Sequence, residues 1–161
     1  MSRRRQVAVS GGGADPGEEG LRAAEEVGRR LAQADVAVVC GGLGGVMEAA
    51  ARGAAEAGGE VIGILPGEDP ADANPHVTHV VATGAGRARN LAVVASAGAV
   101  IAIGGEWGTL SEIAFARRLG RPVVTLGSWE VRGAGAMAEA PGIEVADDPA
   151  SAVTAALGQL G

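Results

Sequence analysis

Short apolar runs alternate with amphipathic stretches from one end of this chain to the other. Gln6 to Ser10, Val36 to Cys40, Val61 to Leu65, Val77 to Thr83 and Ala99 to Ile103 read as strands. Ala99-Val100-Ile101-Ala102-Ile103 is apolar throughout, the form a strand takes when both of its faces are covered. Pro16 to Gln33 reads as a helix whose apolar face is Leu21, Ala24, Val27 and Leu31. Asp15 is placed to cap it, Pro16 suits its first position, and Glu18 and Glu19 suit its first turn. Further helices are expected over Val46 to Ala57 and Arg87 to Ala97. Thr109-Leu110-Ser111-Glu112-Ile113 opens another, with Thr109 as N-cap and Glu112 three residues on in a capping-box pattern. Pro66 to Pro75 is a loop. Beyond Leu126, Trp129 to Gly142 reads as loop or short helix, Ile143 to Val145 as a short edge strand, and Ala150 to Leu160 as a closing helix.

Strands that alternate with helices of this length predict an α/β fold. The expected form is a single Rossmann-like domain over residues 1–161, with a doubly wound, mostly parallel sheet and helices on both faces. Such sheets bind ligands at the C-terminal ends of their strands. Those ends are marked here by Gly11 to Gly13, Gly41 to Gly45, Pro66-Gly67 and Gly104 to Gly108.

Composition narrows the chemistry. The chain has 161 residues, 47% of them hydrophobic, enough for one substantial core. A net charge of −6 without a basic stripe argues against nucleic acid, and Arg3-Arg4-Arg5 reads as a solvated tail. No apolar run reaches membrane-spanning length. The one at Val7-Ala8-Val9 is cut short by glycines, which argues against a signal peptide and for a cytoplasmic protein. Cys40 is the single cysteine, so no internal disulfide can form. All thirteen basic residues are arginine. The absence of lysine excludes a Walker-type phosphate loop and a pyridoxal phosphate Schiff base.

Several constellations carry candidate chemistry. Gly11-Gly12-Gly13-Ala14-Asp15-Pro16 departs from the dinucleotide fingerprint, because Pro16 stands at the third glycine position and Cys40-Gly41 offers no acidic residue after the second strand. Its place at a strand end still puts Gly11 and Gly12 among the candidate pocket residues. In the next turn Gly42, Gly44 and Gly45 would let the backbone approach a ligand closely, with Met47 at the helix start. Glu48 either faces the pocket or favours the helix N-terminus. Arg87 and Arg89 could clamp phosphate or simply be solvated, and Asn90 offers both donor and acceptor. Gly104, Gly105, Gly108 and Thr109 form a Gly-rich turn at a helix N-terminus, a setting that suits phosphate. Within it Trp107 could stack a base or pterin ring, or shield the turn from water. Glu112 either completes the capping box or serves as a carboxylate beside a phosphosugar. His76 and His79 lack a carboxylate cluster or second cysteine nearby, so no metal site is expected. Ser10, Ser111 and Ser128 do not lie in a G-x-S-x-G elbow.

The stretch from Val7 to Leu126 resembles the LONELY GUY (LOG) superfamily, formerly labelled lysine decarboxylase-like. Gly105, Gly108, Thr109 and Glu112 match its P-G-G-x-G-T-x-x-E signature, and Arg89 stands at the arginine of its R-K-x-x-M helix start. Cys40 to Met47 (CGGLGGVM) is similar to its second glycine turn, one residue shorter, and Glu60 to Gly67 (EVIGILPG) to its third strand. Gly104 replaces the signature proline, Glu106 its second glycine, and Asn90 the lysine after the arginine. The wording GGEWGTLSEI is closer to the branch of molybdenum cofactor carrier proteins. The resemblance implies a homo-oligomer, a dimer or dimer of dimers, that binds a phosphorylated nucleotide or pterin, with the molybdenum cofactor as a carried ligand. It implies equally a phosphoribohydrolase that cleaves nucleoside 5′-monophosphates through Arg89 and Glu112 without a cofactor. A nucleotide-sensing module within a larger assembly is a third reading.

Overall fold

The computed structural model describes residues 5–14, 16–137 and 139–161. Seven strands form one sheet: β1 (Gln6–Ser10), β2 (Ala37–Cys40), β3 (Val61–Leu65), β4 (His79–Ala82), β5 (Ala99–Ile103), β6 (Val123–Leu126) and β7 (Ile143–Ala146). The order is β4-β3-β2-β1-β5-β6-β7, and every neighbouring pair is parallel. Five helices connect and close it: α1 (Gly17–Gln33), α2 (Val46–Glu56), α3 (Arg89–Ala95), α4 (Trp107–Arg118) and α5 (Pro149–Gly158). The fold is the doubly wound α/β sheet that the pattern predicts.

Alternation along the strands sorts the core into two layers. Val7, Val9, Val38, Cys40, Ile101 and Ile103 face a cluster with residues of α1, α2 and α5. Ala8, Val39, Ile64, Val100 and Ala102 face another with Val93 and Val94 of α3 and Ile113 and Ala116 of α4. The chain winds outward from β1 to β4, then returns past β1 to begin the second half at β5. Right-handed crossovers in opposite directions put α1 and α2 on one face and α3 and α4 on the other. The reversal leaves a gap above the C-terminal ends of β1 and β5.

Several element boundaries shift by a residue or two from the expectation, and three differences have a visible cause or consequence. Helix α4 begins at Trp107 with Glu106 as its N-cap residue, three positions before the expected cap Thr109. Thr109 is therefore inside the first turn and buried, and the capping box with Glu112 does not form. The helix expected from Arg87 divides into a 3₁₀ turn, Gly86–Ala88, and α3 proper. Strand β4 is shorter than Val77 to Thr83 because the Thr78 hydroxyl takes over at its start, accepting from the Val61 N–H (2.8 Å) and donating to the Val61 carbonyl (3.0 Å). The expected cap Asp15 and the Arg3-Arg4 part of the tail lie outside the described residues. Pro16 occupies the N-cap position of α1, and the closing helix is capped instead by Asp148, whose side chain accepts from the Ser151 N–H at 2.8 Å.

Helices α1 and α2 cross almost backbone to backbone. A Cβ at Gly28 would fall on the carbonyl oxygen of Ala50, and one at Gly53 on that of Glu25. Ion pairs from Glu25 to Arg29 and Arg52 flank the crossing at 3.2 and 3.0 Å. Gly28→Ala should therefore cost about 1–3 kcal/mol, the usual scale of overpacking. Gly158→Ala, at a helical position with open space around it, should instead stabilise by roughly 0.5 kcal/mol. Urea unfolding of the two variants checks both signs.

Candidate functional site

A cleft of about 1060 Å³ opens where the winding reverses. Its walls come from the β1–α1 turn, the end of β2, the start of α3 and the first turns of α4. Each wall is shaped by residues that a side chain or an extra polar partner would disturb.

At the end of β1 the chain turns through Gly11, where a Cβ would meet the Val46 side chain and the Ile103 carbonyl (2.8 Å). Ser10 ends the strand and is buried, and its hydroxyl donates a hydrogen bond to Glu112 Oε2. Glu112 reaches this point from α4 and is 5% exposed. Burial pushes its carboxyl up to about 7, against the opposing effects of the Ser10 hydroxyl and the nearby Arg89 charge. The group thus titrates near neutrality, where it can hold or release a proton.

Arg89 begins α3 and stretches back to the end of β2. A Cβ at Gly41 would lie 2.5 Å from its Nη1 and 2.6 Å from the Met47 sulfur, so Gly41 is the seat on which the guanidinium rests. Nη1 donates to Asn90 Oδ1 at 2.8 Å, while the buried Nε has no partner. Burial lowers the arginine's pKa from its ordinary value, and the charge of Glu112 opposes that. Asn90 Nδ2 in turn reaches the Ser111 hydroxyl at 3.4 Å, which ties α3 to α4.

The first turn of α4 completes the wall with Trp107, Gly108 and Thr109. Helix geometry leaves its leading N–H groups without intrahelical partners, and its dipole adds partial positive charge. Thr109 Oγ1 is buried and also lacks a partner. Two orphaned donors, on Arg89 and Thr109, in one cleft are an arrangement completed by an oxygen-rich anion. Trp107 is 76% exposed and packs against Trp129 with ring centroids 5.1 Å apart. The Trp129 indole N–H donates to the Glu106 carbonyl at 3.2 Å, and Gly105 leaves room for that ring.

Of the residues singled out from sequence, Gly11, Gly12, Met47, Arg87, Arg89, Asn90, Trp107, Gly108, Thr109 and Glu112 line the cleft together. Gly42, Gly44, Gly45, Gly104 and Gly105 are not in its lining. Gly42 turns at φ 77° against Leu65, and its carbonyl accepts from the Asn74 N–H at 2.8 Å. Gly45, at φ 64°, brings the first N–H of α2 onto the Gly12 carbonyl (3.2 Å), so this N–H is satisfied by the protein. Gly45 and Glu48 line a smaller cavity with Gly13 and Arg52. Gly104, at φ 61°, shapes the turn that leads into α4. Ser10 and Phe115 line the cleft and carry no motif, and Gly41 joins them from the second glycine turn. A lone serine ending an otherwise apolar strand is the one signal that points to Ser10. The Cys40 thiol lies beneath, fully buried and pushed up to about 11, so it is no nucleophile.

A family model described as the SLOG cluster4 family matches residues 4–153. An uncharacterised protein of Archaeoglobus fulgidus is 43% identical over 121 residues, 75% of this chain and 79% of that one. The molybdenum cofactor binding protein of Rippkaea orientalis superposes over 100% of both chains with a TM-score of 0.90 at 29% identity. The molybdenum cofactor carrier protein of Chlamydomonas reinhardtii superposes over 98% of both chains with a TM-score of 0.83 at 34% identity. DNA processing protein A of Helicobacter pylori, at 18% identity and a TM-score of 0.71, shares the fold alone. Among the described residues no helix is long and apolar enough to cross a membrane.

The raised carboxyl of Glu112 makes stability depend on pH. The folded protein holds this proton more tightly than the unfolded chain does. Its contribution is fully present below about pH 4.5 and is lost as the pH rises to about 7. Glu112→Gln has no proton to lose and should remove this fall, leaving the variant more stable than wild type on the alkaline side by up to about 3 kcal/mol. Ser10→Ala deletes the hydrogen bond that favours the charged form and should move the titration higher still. Urea unfolding across a pH series reads both effects, and parallel curves for wild type and Glu112→Gln would count against the assignment.

Proposed function

Because this chain belongs to the SLOG cluster4 family, we propose that its cleft binds a phosphorylated pterin, with the molybdenum cofactor as cargo that it carries rather than transforms. The observation that carries this reading is the pair of orphaned donors, Arg89 Nε and Thr109 Oγ1, in a cleft bounded by the start of α4. A phosphate group supplies acceptors for both and for the first-turn N–H groups. Trp107, largely exposed at the mouth, offers a flat face for a ring. Relatives with the same fold and about 30% identity are a molybdenum cofactor binding protein and a molybdenum cofactor carrier protein. Gly11, Gly12, Gly108 and Asn90 line the approach, and Gly42, Gly44, Gly45, Gly104 and Gly105 set the turns behind it. A homodimer in the cytoplasm is part of the proposal, on the strength of the family resemblance.

A second reading has its own support. Glu112 combines burial, a proton held to about pH 7 and an arginine nearby, the properties of an acid–base group at a glycosidic bond. If the protein is a phosphoribohydrolase, AMP should yield free adenine, and Glu112→Gln should abolish release while leaving binding largely intact. The absence of release from common nucleotides supports the carrier.

Binding separates the roles of the cleft residues. Arg89→Ala should weaken the molybdenum cofactor, AMP and inorganic phosphate alike, by roughly 10- to 100-fold, the scale of a charge-assisted bond shielded from water. Thr109→Ala should cost about 1 kcal/mol against the same ligands. Trp107→Ala should weaken only ligands that carry a ring. Calorimetric titration of the three ligands is the measurement. Equal losses for phosphate and pterin in Trp107→Ala would mean that Trp107 shapes the turn and does not stack.

A further inference from the structure

Glu106 is a residue the phosphate reading does not explain, because it brings a negative charge into a cleft built for an anion. The structure nevertheless holds it firmly. Its carbonyl accepts from the Leu110 N–H (3.2 Å) and the Trp129 indole N–H (3.2 Å). Its carboxylate crosses to the β1–α1 turn, where Oε1 accepts from the Ala14 N–H at 3.1 Å. There it lies over Gly12, where a Cβ would fall 2.8 Å from both Cδ and Oε1. Oε2 has no hydrogen-bond partner among the described residues.

The cleft therefore carries groups of two kinds. Arg89, seated on Gly41, and the first turn of α4 attract an anion. Glu106, laid on Gly12, presents a fixed surface that only accepts hydrogen bonds. A ligand that satisfies both needs a phosphate and, beside it, N–H donors. Oε1 keeps a lone pair beyond its bond to Ala14, so the carboxylate can take two parallel donors. The 2-amino-4-oxo edge of pterins and the equivalent 2-amino-6-oxo edge of guanine offer such a pair, a ring N–H beside an exocyclic amino group. Adenine offers one amino donor beside a ring lone pair, which a carboxylate repels.

We infer that Glu106 is a specificity-determining residue, selecting rings with the pterin-type amino–oxo edge over adenine in the phosphate-binding cleft. The inference rests on the phosphate reading above and names the ring that accompanies the phosphate. Gly12 is its positioning partner, since any side chain there displaces the carboxylate.

Calorimetric titrations of inorganic phosphate, GMP and AMP test it, GMP carrying the pterin-type edge. Wild type should bind GMP at least about 10-fold tighter than AMP, as expected of a site built to pair with specific donors. Glu106→Gln keeps an oxygen for Ala14 but presents one acceptor and one donor, the pattern that matches adenine. The variant should therefore prefer AMP. Gly12→Ala, which keeps the charge but moves it, should erase most of the preference for GMP. Equal affinity of wild type for GMP and AMP alongside phosphate binding would overturn this inference and leave the phosphate reading standing. Equal weakening of both nucleotides in Glu106→Gln would also overturn it, reducing Glu106 to a brace for the turn. A wild-type protein that binds none of the three ligands overturns both.

Discussion

The reversal of winding between β1 and β5 is the constraint on which the rest depends. Right-handed crossovers allow helices on both faces only if the chain changes direction, and here it does so beside the central strand. Residues that follow β1 and β5 then diverge to opposite faces, and the space between them cannot be filled by either connection. The protein closes the floor of that space instead of its mouth. Gly11 passes between Val46 and the Ile103 carbonyl, which holds the two halves together at the smallest separation that backbone allows.

That closure puts a carboxyl group where water cannot solvate it. Glu112 enters from α4 because the helix starts early, at Trp107, which directs its sixth residue toward the end of β1. A helix that began at Thr109 would have spent the same side chain on its own N-terminus. The two outcomes use one residue for different purposes, and tertiary packing decides between them. Placing Thr109 inside the turn has a second effect, since its hydroxyl is buried without a partner. The first turn of α4 thus trades a cap for a wall of the cleft.

Fold class was legible in sequence because each strand is a short apolar run and each helix has its own period. The edge where the cleft opens was legible too, because glycine-bearing turns end four of the strands. The limits are equally physical. A glycine that approaches a ligand and a glycine that lets two loops touch look the same in sequence. Gly41 and Gly42 show this: the first seats Arg89 in the cleft, while the second packs on Leu65. Thr109 and Glu112 satisfy a capping-box spacing, but the helix start lies three residues earlier, where Glu106 is held by Ala14 and Trp129 from outside the helix. Contacts between residues far apart in the chain, such as Ser10 with Glu112, leave almost no local trace. Only the oddity of a serine closing a buried strand marks that pair.

The tryptophan pair at the mouth has a consequence for observing the protein at all. The chain contains two tryptophans and no tyrosine. Both indoles sit at the start of α4, 5.1 Å apart, one of them tied through its N–H to Glu106. Almost all near-ultraviolet emission and dichroism therefore originates at one spot on the rim. The core, which is aliphatic, is optically silent. Light absorbed by this molecule reports on the doorway and leaves the interior dark.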